Sequence, residues 1–494
     1  MIYVAVVVVY VAILFAVGLS KMRAVKTQED FMVAGRKTPW YLLAGTLVCT
    51  WIGSGSLFGG AGLAFRMGFS ELWMSAGAWA GIAIIYFLAH RVRRIAQFTL
   101  SDILETRYNH WARILGTISI TIAYLTIAGY QFRGGGRLLN ILADIDPLWG
   151  GLLTCLVTIA FTMVAGLVSI ISVDIVNGII MTLGVVVGVP LALSAVGGVE
   201  QMHHVLPAER FTVFGSSGWV WAMGVFLPTF FLLLGEGSIY QKFFAAKDGK
   251  EARKAVIGMI VGVIVIESLL CALAVIGSAK YLTLPPFANA EGSLDKSATE
   301  TIILHLARFD LPVFAGSLLI AAGVAIILST ANTFLMIPST NLTRDIYQRF
   351  INPNASEQKI IALQRTLIVG LGLLAFVIAG FFKSILDMAF TAYTIVGAGI
   401  TPALLAAFLW KRTSVSAGVA SIAVGMFVTI AITAANFAME GTSATVHLGG
   451  LKLLPMETDY IVLPAAFASI LTLILVSLLT PPPPEEKWRP FSTE

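Results

Sequence analysis

Ile52-Gly53-Ser54-Gly55-Ser56-Leu57-Phe58-Gly59-Gly60-Ala61-Gly62 interrupts a long apolar run, and it decides how the rest of the chain is read. Five glycines in ten positions are hard to reconcile with a continuous helix. At membrane depth, irregular backbone is tolerated only where protein or a water-filled cavity surrounds it. A second interruption follows five spans later, at Pro228-Thr229-Phe230-Phe231-Leu232-Leu233-Leu234-Gly235-Glu236-Gly237-Ser238. Matching interruptions in two halves of a chain point to inverted repeats with a binding site near the bilayer midplane. The competing reading is close helix packing through spacings such as Gly55-x-x-x-Gly59 and Gly184-x-x-x-Gly188. For the second pair, packing is the reading adopted.

Composition supports a membrane setting. Of 494 residues, 57% are hydrophobic and only 12% charged, against about 25% charged in soluble domains. This excludes a soluble enzyme, a secreted disulfide scaffold and a disordered chain. Cys49, Cys155 and Cys271 lie far apart in apolar stretches, and His203–His204 is the one paired histidine motif. There is no metal-ligand spacing, phosphate-binding loop or nucleic-acid motif. Neither enzymatic chemistry nor a nucleic-acid partner is expected.

Apolar runs of about 20 residues predict thirteen spans. They lie near 2–20, 41–65, 70–90, 112–139, 148–167, 174–197, 217–241, 255–279, 311–341, 361–382, 385–409, 415–436 and 459–479. The first has no basic residue before it and Lys21, Arg23 and Lys26 after it, so it is read as a retained helix and not a signal peptide. With the N-terminus outside, 23 lysines and arginines fall in cytoplasmic segments and 7 in outer ones, with Arg133 and Arg137 inside a helix. That asymmetry follows the positive-inside rule. A short amphipathic helix is expected at Ala298 to Phe309. The Pro481–Pro484 run ends the last span and opens a short charged cytoplasmic tail, 481–494. Residues 1–480 thus form a single integral domain, with core repeats at about 41–197 and 217–409.

Ionisable residues inside spans are candidate functional groups. Asp174 opens the sixth span, Glu236 stands at the second interruption and Glu267 lies within the eighth. Structural alternatives are a helix-start carboxylate for Asp174, an interhelical hydrogen bond for Glu267 and snorkelling for Arg133 and Arg137. In the ninth span, Leu328-Ser329-Thr330-Ala331-Asn332-Thr333 offers paired hydroxyls. Such hydroxyls either bond back to the preceding turn or serve as oxygen donors for a small hard cation.

Several segments in order resemble the sodium/solute symporter family, which includes proline, pantothenate and sugar cotransporters. They are Asp30-Phe31-Met32-Val33-Ala34-Gly35-Arg36, Thr99-Leu100-Ser101-Asp102-Ile103-Leu104-Glu105-Thr106-Arg107-Tyr108 and Asp174-Ile175-Val176-Asn177-Gly178. Further on come Tyr240-Gln241-Lys242-Phe243-Phe244-Ala245-Ala246-Lys247, Ser329-Thr330 before Asp345-Ile346-Tyr347, and Thr401-Pro402 before Phe408-Leu409-Trp410-Lys411. The resemblance implies an all-α integral membrane protein of about 13 transmembrane helices, with a five-plus-five inverted-repeat core and broken helices. It implies a sodium site made by the Ser329 and Thr330 hydroxyls with carbonyls of Cys49, Ile52 and Ile326, and Asp174 on the sodium path. Sugar cotransporters place a glutamate where Leu72 or its neighbour falls here and a tyrosine gate where Leu232 falls. Proline transporters carry an aspartate at the position aligned with Trp51. These departures argue against sugar and against a close proline homologue, while Gln131-Phe132-Arg133-Gly134-Gly135-Gly136-Arg137 is similar to pantothenate-type members.

By the same resemblance, Trp51, Gly55, Gln131, Leu232, Glu236, Tyr393 and Thr394 line a cavity for a small organic solute. The expected activity is sodium-coupled import across the plasma membrane by alternating access. Its partners are sodium, the solute and the lipid bilayer, with no obligate protein partner. The alternatives left open are a proton-coupled or sodium-independent carrier and a transport-inactive sensor.

Overall fold

The computed structural model describes residues 2–22, 27–95, 97–289, 291–440, 445–448 and 451–492. Arg23 and Lys26 of the expected basic cluster, and Thr493 and Glu494 of the tail, lie outside the described residues. Among these residues the chain is almost entirely helical, because a helix satisfies every backbone group within its own segment. Eleven described helices are long and apolar enough to cross a membrane, and Trp40–Trp51 and Pro147–Met163 are shorter apolar helices. The expected count of thirteen is therefore not established, although the fold is an all-helical bundle with interrupted helices.

Both interruptions are present, but the first is narrower than its glycines suggest. Helix Trp40–Trp51 stops at Ile52, whose backbone turns extended (φ −74°, ψ 102°). The chain resumes as a wide helical turn over Gly55–Gly60 and continues as Ala61–Met67. The glycine-rich part is thus helical, and the break is confined to a few residues from Ile52. The second break falls at Glu236 (φ −72°, ψ 100°), between Gly218–Gly235 and Gly237–Ala245. Pro228 sits within the first of these helices and not at the break. A third interruption, at Ile400, separates Ile385–Gly399 from Thr401–Leu409.

The loop expected at 167–174 does not exist. Pro147–Ala195 is helical on both sides of Gly166 (φ 60°, ψ 173°), where two helices meet across a kink. A straight helix of that length would far exceed the bilayer's hydrocarbon core of about 30 Å. The chain instead doubles back at Gly166, where a left-handed φ suits glycine. One arm packs by Pro147 on Gly136, Gly166 sits against Phe31, and Gly188 on the returning arm meets Leu273 and Leu319.

Side-chain contacts sort the loops into two ends. At one end Arg93 donates to Ala246 O (2.7 Å), Arg107 to Thr413 O (3.0 Å), Arg94 to Ser492 O (2.6 Å) and Arg349 to Glu105 (2.8 Å). At the other, Lys296 pairs with Asp387 (2.7 Å), Lys383 with Glu440 (2.5 Å) and Arg137 with the buried Glu300. Arg137 therefore does not snorkel. It is an anchor for Glu300, which also accepts from the backbone N–H of Ile385 (3.1 Å) and Leu386 (3.0 Å). Arg133 likewise donates to Ala379 O (3.2 Å) and Lys383 O (2.8 Å).

Three smaller features differ from expectation. The amphipathic segment expected at Ala298 to Phe309 is two helices, Lys296–Thr299 and Ile302–Phe309. A short hairpin pairs Val446–Leu448 with Leu451–Leu454. The tail returns to the bundle, where Phe491 is buried against Phe408 with ring centroids 5.3 Å apart.

Candidate functional site

Two neighbouring groups of polar atoms gather around the first break. At Ile52 the helix loses its regular hydrogen-bonding pattern, leaving carbonyls to find other partners. Thr330, on helix Val313–Asn341, donates to Ile52 O (3.1 Å) and also lies 3.3 Å from Cys49 O. Ser329 lies 3.3 Å from the same Cys49 carbonyl and 2.5 Å from Asp174 Oδ1. Two hydroxyls and two carbonyls therefore converge, with a carboxylate behind them. Ile326 is buried four residues before Thr330 on the same helix.

Asp174 is tied into this group from several sides. The Thr46 hydroxyl donates to its Oδ2, and the Cys49 thiol reaches its backbone carbonyl at 3.1 Å. It does not open a helix; it lies in the interior of the returning arm after Gly166. Lys242 Nζ approaches Oδ2 at 3.9 Å, donates to Thr46 O (2.9 Å) and meets the Thr50 hydroxyl. Lys242 is one of the 23 cations expected in cytoplasmic segments, yet only 1% of it is exposed. No sequence signal set it apart, because Gly237–Ala245 is buried on every face only by the helices packed around it.

The donor set suits a hard monovalent cation, because hydroxyl and carbonyl oxygens offer dipoles without several fixed charges. Among the described residues no group of three or more His, Cys, Asp or Glu side chains is placed to hold a metal ion. Soft or multiply charged metals find no such cluster here.

The second group lines a narrow cavity of about 30 Å³. Of the seven residues proposed to line a solute cavity, Trp51, Leu232, Glu236 and Tyr393 border this one. Gly55, Gln131 and Thr394 do not. Gln131 instead spans the break, where its Oε1 accepts from the Ser54 backbone N–H at 2.9 Å. A side chain at Gly55 would collide with the Tyr393 hydroxyl, so that glycine is needed for close approach to the aromatic wall. Thr394 is fully buried and its hydroxyl has no hydrogen-bond partner.

Glu267 is more than an interhelical hydrogen bond. Its two oxygens accept from the indole N–H groups of Trp51 (2.9 Å) and Trp79 (2.8 Å), which fixes the cavity wall. Glu236 accepts from the Ser238 backbone N–H (3.4 Å), capping the second half-helix, and from the Tyr124 hydroxyl. Glu71, the residue before Leu72, also borders the cavity and is only 4% exposed. The sugar-cotransporter glutamate falls at Leu72 or its neighbour, and that neighbour is Glu71, which weakens the argument against sugars that rested on the position. Thr50 and Thr330 border the cavity as well, so the oxygen cluster and the cavity share a wall.

The chain is similar to several known proteins over most of its length. The osmoregulated proline transporter OpuE of Bacillus subtilis is 25% identical over 98% of this chain and 96% of its own length. The sodium/glucose cotransporter of Vibrio parahaemolyticus is 26% identical over 82% of this chain and 80% of its own length. The solved structure of a sodium-coupled sialic acid symporter, in a substrate-bound outward-open state, superposes with a TM-score of 0.78 at 18% identity. That match covers 98% of both chains. It shows the inverted-repeat fold, and the spread of solutes among these names leaves the cargo open. The family profile for sodium:solute symporters matches residues 31–425. This multi-pass membrane protein belongs to the sodium:solute symporter family.

Proposed function

We propose that this protein is a sodium-coupled symporter that imports a small organic solute across the plasma membrane by alternating access. The observation that carries the proposal is Thr330. Its hydroxyl joins the oxygen cluster at the first break and also borders the solute cavity. An ion held by Ser329, Thr330 and the carbonyls of Cys49, Ile52 and Ile326 orders the break, and the break forms one wall of the cavity through Trp51 and Ser56. Sodium then raises solute affinity, and by linkage the solute raises sodium affinity by the same factor. Asp174, behind the Ser329 hydroxyl, provides a negative charge on the path by which the ion leaves.

The driving force is sufficient. One sodium ion crossing 100 mV carries about 2.3 kcal/mol, which supports roughly 40-fold solute accumulation. In the proposed orientation, the end bearing Arg93, Arg107 and Arg349 faces the cytoplasm, as the positive-inside rule requires. The N-terminus is then outside and the tail inside.

The test is solute uptake into proteoliposomes under an imposed sodium gradient, compared with an equal potassium gradient. Uptake identical in both salts removes sodium from the mechanism. One observation favours a second reading: Lys242 places an ammonium 3.9 Å from Asp174. A proton-coupled or sodium-independent carrier uses that internal cation instead, and uptake driven by a pH gradient in sodium-free medium distinguishes it.

A further inference from the structure

The charge of the cavity narrows the kind of solute, given the symporter reading on which this inference rests. Three carboxylates border it, Glu71, Glu236 and Glu267, and no lysine, arginine or histidine does. Glu267 has both oxygens occupied by indole N–H groups. The other two are incomplete. Glu71 Oε2 and Glu236 Oε2 are buried, in residues 4% and 1% exposed, and neither has a well-aligned donor; the nearest side-chain groups are the Cys271 thiol for Glu71 and the Ser238 hydroxyl for Glu236. A buried carboxylate oxygen left without a partner is costly, so a donor from outside the chain, a ligand or an ordered water, is needed to complete it.

The nearest internal cation does not fill this role. Lys242 stands one turn beyond Ser238 on the second half-helix, donates to Thr46 O and Thr50, and does not border the cavity. A sodium ion at the oxygen cluster contributes a single charge at the cavity's edge. Among the described residues these glutamates also form no metal-binding group. Aromatic surface completes the wall: Trp51, whose N–H is pinned by Glu267, together with Tyr130, Phe334 and Tyr393. Aromatic faces attract organic cations.

We propose that the transported solute carries a cationic amine or ammonium group, received by Glu71 and Glu236 within this aromatic wall. A zwitterion such as proline, or an anion such as sialic acid, would bring its own carboxylate among three others. The cavity thus selects against the charge pattern of several solutes named for relatives of this chain.

The test uses the full-length protein, purified in sodium, with thermal unfolding as the readout. Pyrrolidine and putrescine are compared with proline, glucose and N-acetylneuraminate. Pyrrolidine is the ring of proline without its carboxylate, so that pair isolates charge. At least one amine is expected to raise the unfolding temperature while the other three solutes leave it unchanged, because a ligand stabilises the state it binds. Glu71→Gln and, separately, Glu236→Gln should raise the half-saturating amine concentration about tenfold or more, the worth of one hydrogen bond to a charged group. The second variant keeps the test open if the first fails to fold.

Stabilisation by proline, glucose or sialic acid but by neither amine overturns the proposal. So does a panel in which nothing stabilises, or an amine effect unchanged in both variants. Proteoliposome uptake separates this failure from that of symport. Sodium-driven proline uptake that neither amine inhibits overturns the cationic solute and keeps the symporter. An amine that binds but is never driven by sodium keeps the cationic site and removes the symporter.

Discussion

The chain breaks at Ile52 and again at Glu236 with nearly the same backbone, (−74°, 102°) and (−72°, 100°), yet the two breaks are completed in different ways. The first is neutral and finished by other helices: Gln131 accepts from Ser54 N, and Thr330 donates to Ile52 O. The second carries its own charge, with Glu236 capping Ser238 and accepting from Tyr124. Two repeats can thus share a backbone device while one break gathers neutral oxygens and the other presents a carboxylate. Lys242 joins them, since it stands on the half-helix after the second break and donates to Thr46 and Thr50 on the half-helix before the first.

The largest effect is expected at the neutral break. Ser329→Ala combined with Thr330→Ala should remove sodium stimulation of uptake entirely, read as the ratio of initial rates in sodium and potassium. Retention of that ratio would show that the break is not the coupling site.

Next comes the link between the breaks. Lys242→Met leaves Asp174 buried with its positive neighbour gone, and breaking a buried pair in this way costs about 3–5 kcal/mol. Chemical denaturation should show that loss, and adding Asp174→Asn should recover part of it. A full additive loss in the double variant would mean that the two side chains do not interact.

A smaller change tests how the first break is held. Gln131→Leu deprives the buried Ser54 N–H of its acceptor, a loss of about 1–3 kcal/mol. Faster amide exchange should be confined to the residues near Ile52, leaving Gly237–Ala245 protected. Equal loosening of both breaks would mean that they act as one unit.

The smallest effect serves as a control remote from both. Asp248 caps helix Gly249–Tyr281 by accepting from the N–H groups of Lys250 (2.8 Å) and Glu251 (2.9 Å). Those backbone hydrogen bonds lower its pKa from the usual aspartate value. A carboxylate with a lowered folded-state pKa contributes stability above its unfolded pKa, and that contribution disappears as pH falls through the folded value. Asp248→Ala should therefore cost about 1 kcal/mol at neutral pH and progressively less in acid, with sodium stimulation unchanged. A pH-independent cost would assign the effect to something other than the ionised cap.

Much of this architecture is legible in the chain because bilayer physics leaves few choices. Long apolar runs must be helices, and a carboxylate flanked by glycines, as in Gly235-Glu236-Gly237, marks a place where the helix is interrupted. The paired Ser329-Thr330 hydroxyls were visible for the same reason, as adjacent oxygens in an otherwise apolar segment. Periodicity could not resolve whether glycine interrupts a helix or widens it, so the whole glycine-rich segment looked broken when the break is short. Nor could it see Gly166, one residue whose left-handed φ reverses a 49-residue run.

Sequence alone determined the membrane class, the family's motif order and the two interruptions, because each depends on local composition and on hydrogen bonds made within one segment. Only the tertiary structure decided that Lys242 is an internal cation, that Glu71 borders the cavity and that Gln131 spans the break. Those assignments depend on which helix faces which, and Lys242 and Asp174 are brought to 3.9 Å by packing between segments far apart in the chain. A charge near a predicted helix end is free to face water or the protein interior, and only the neighbouring helices settle the choice.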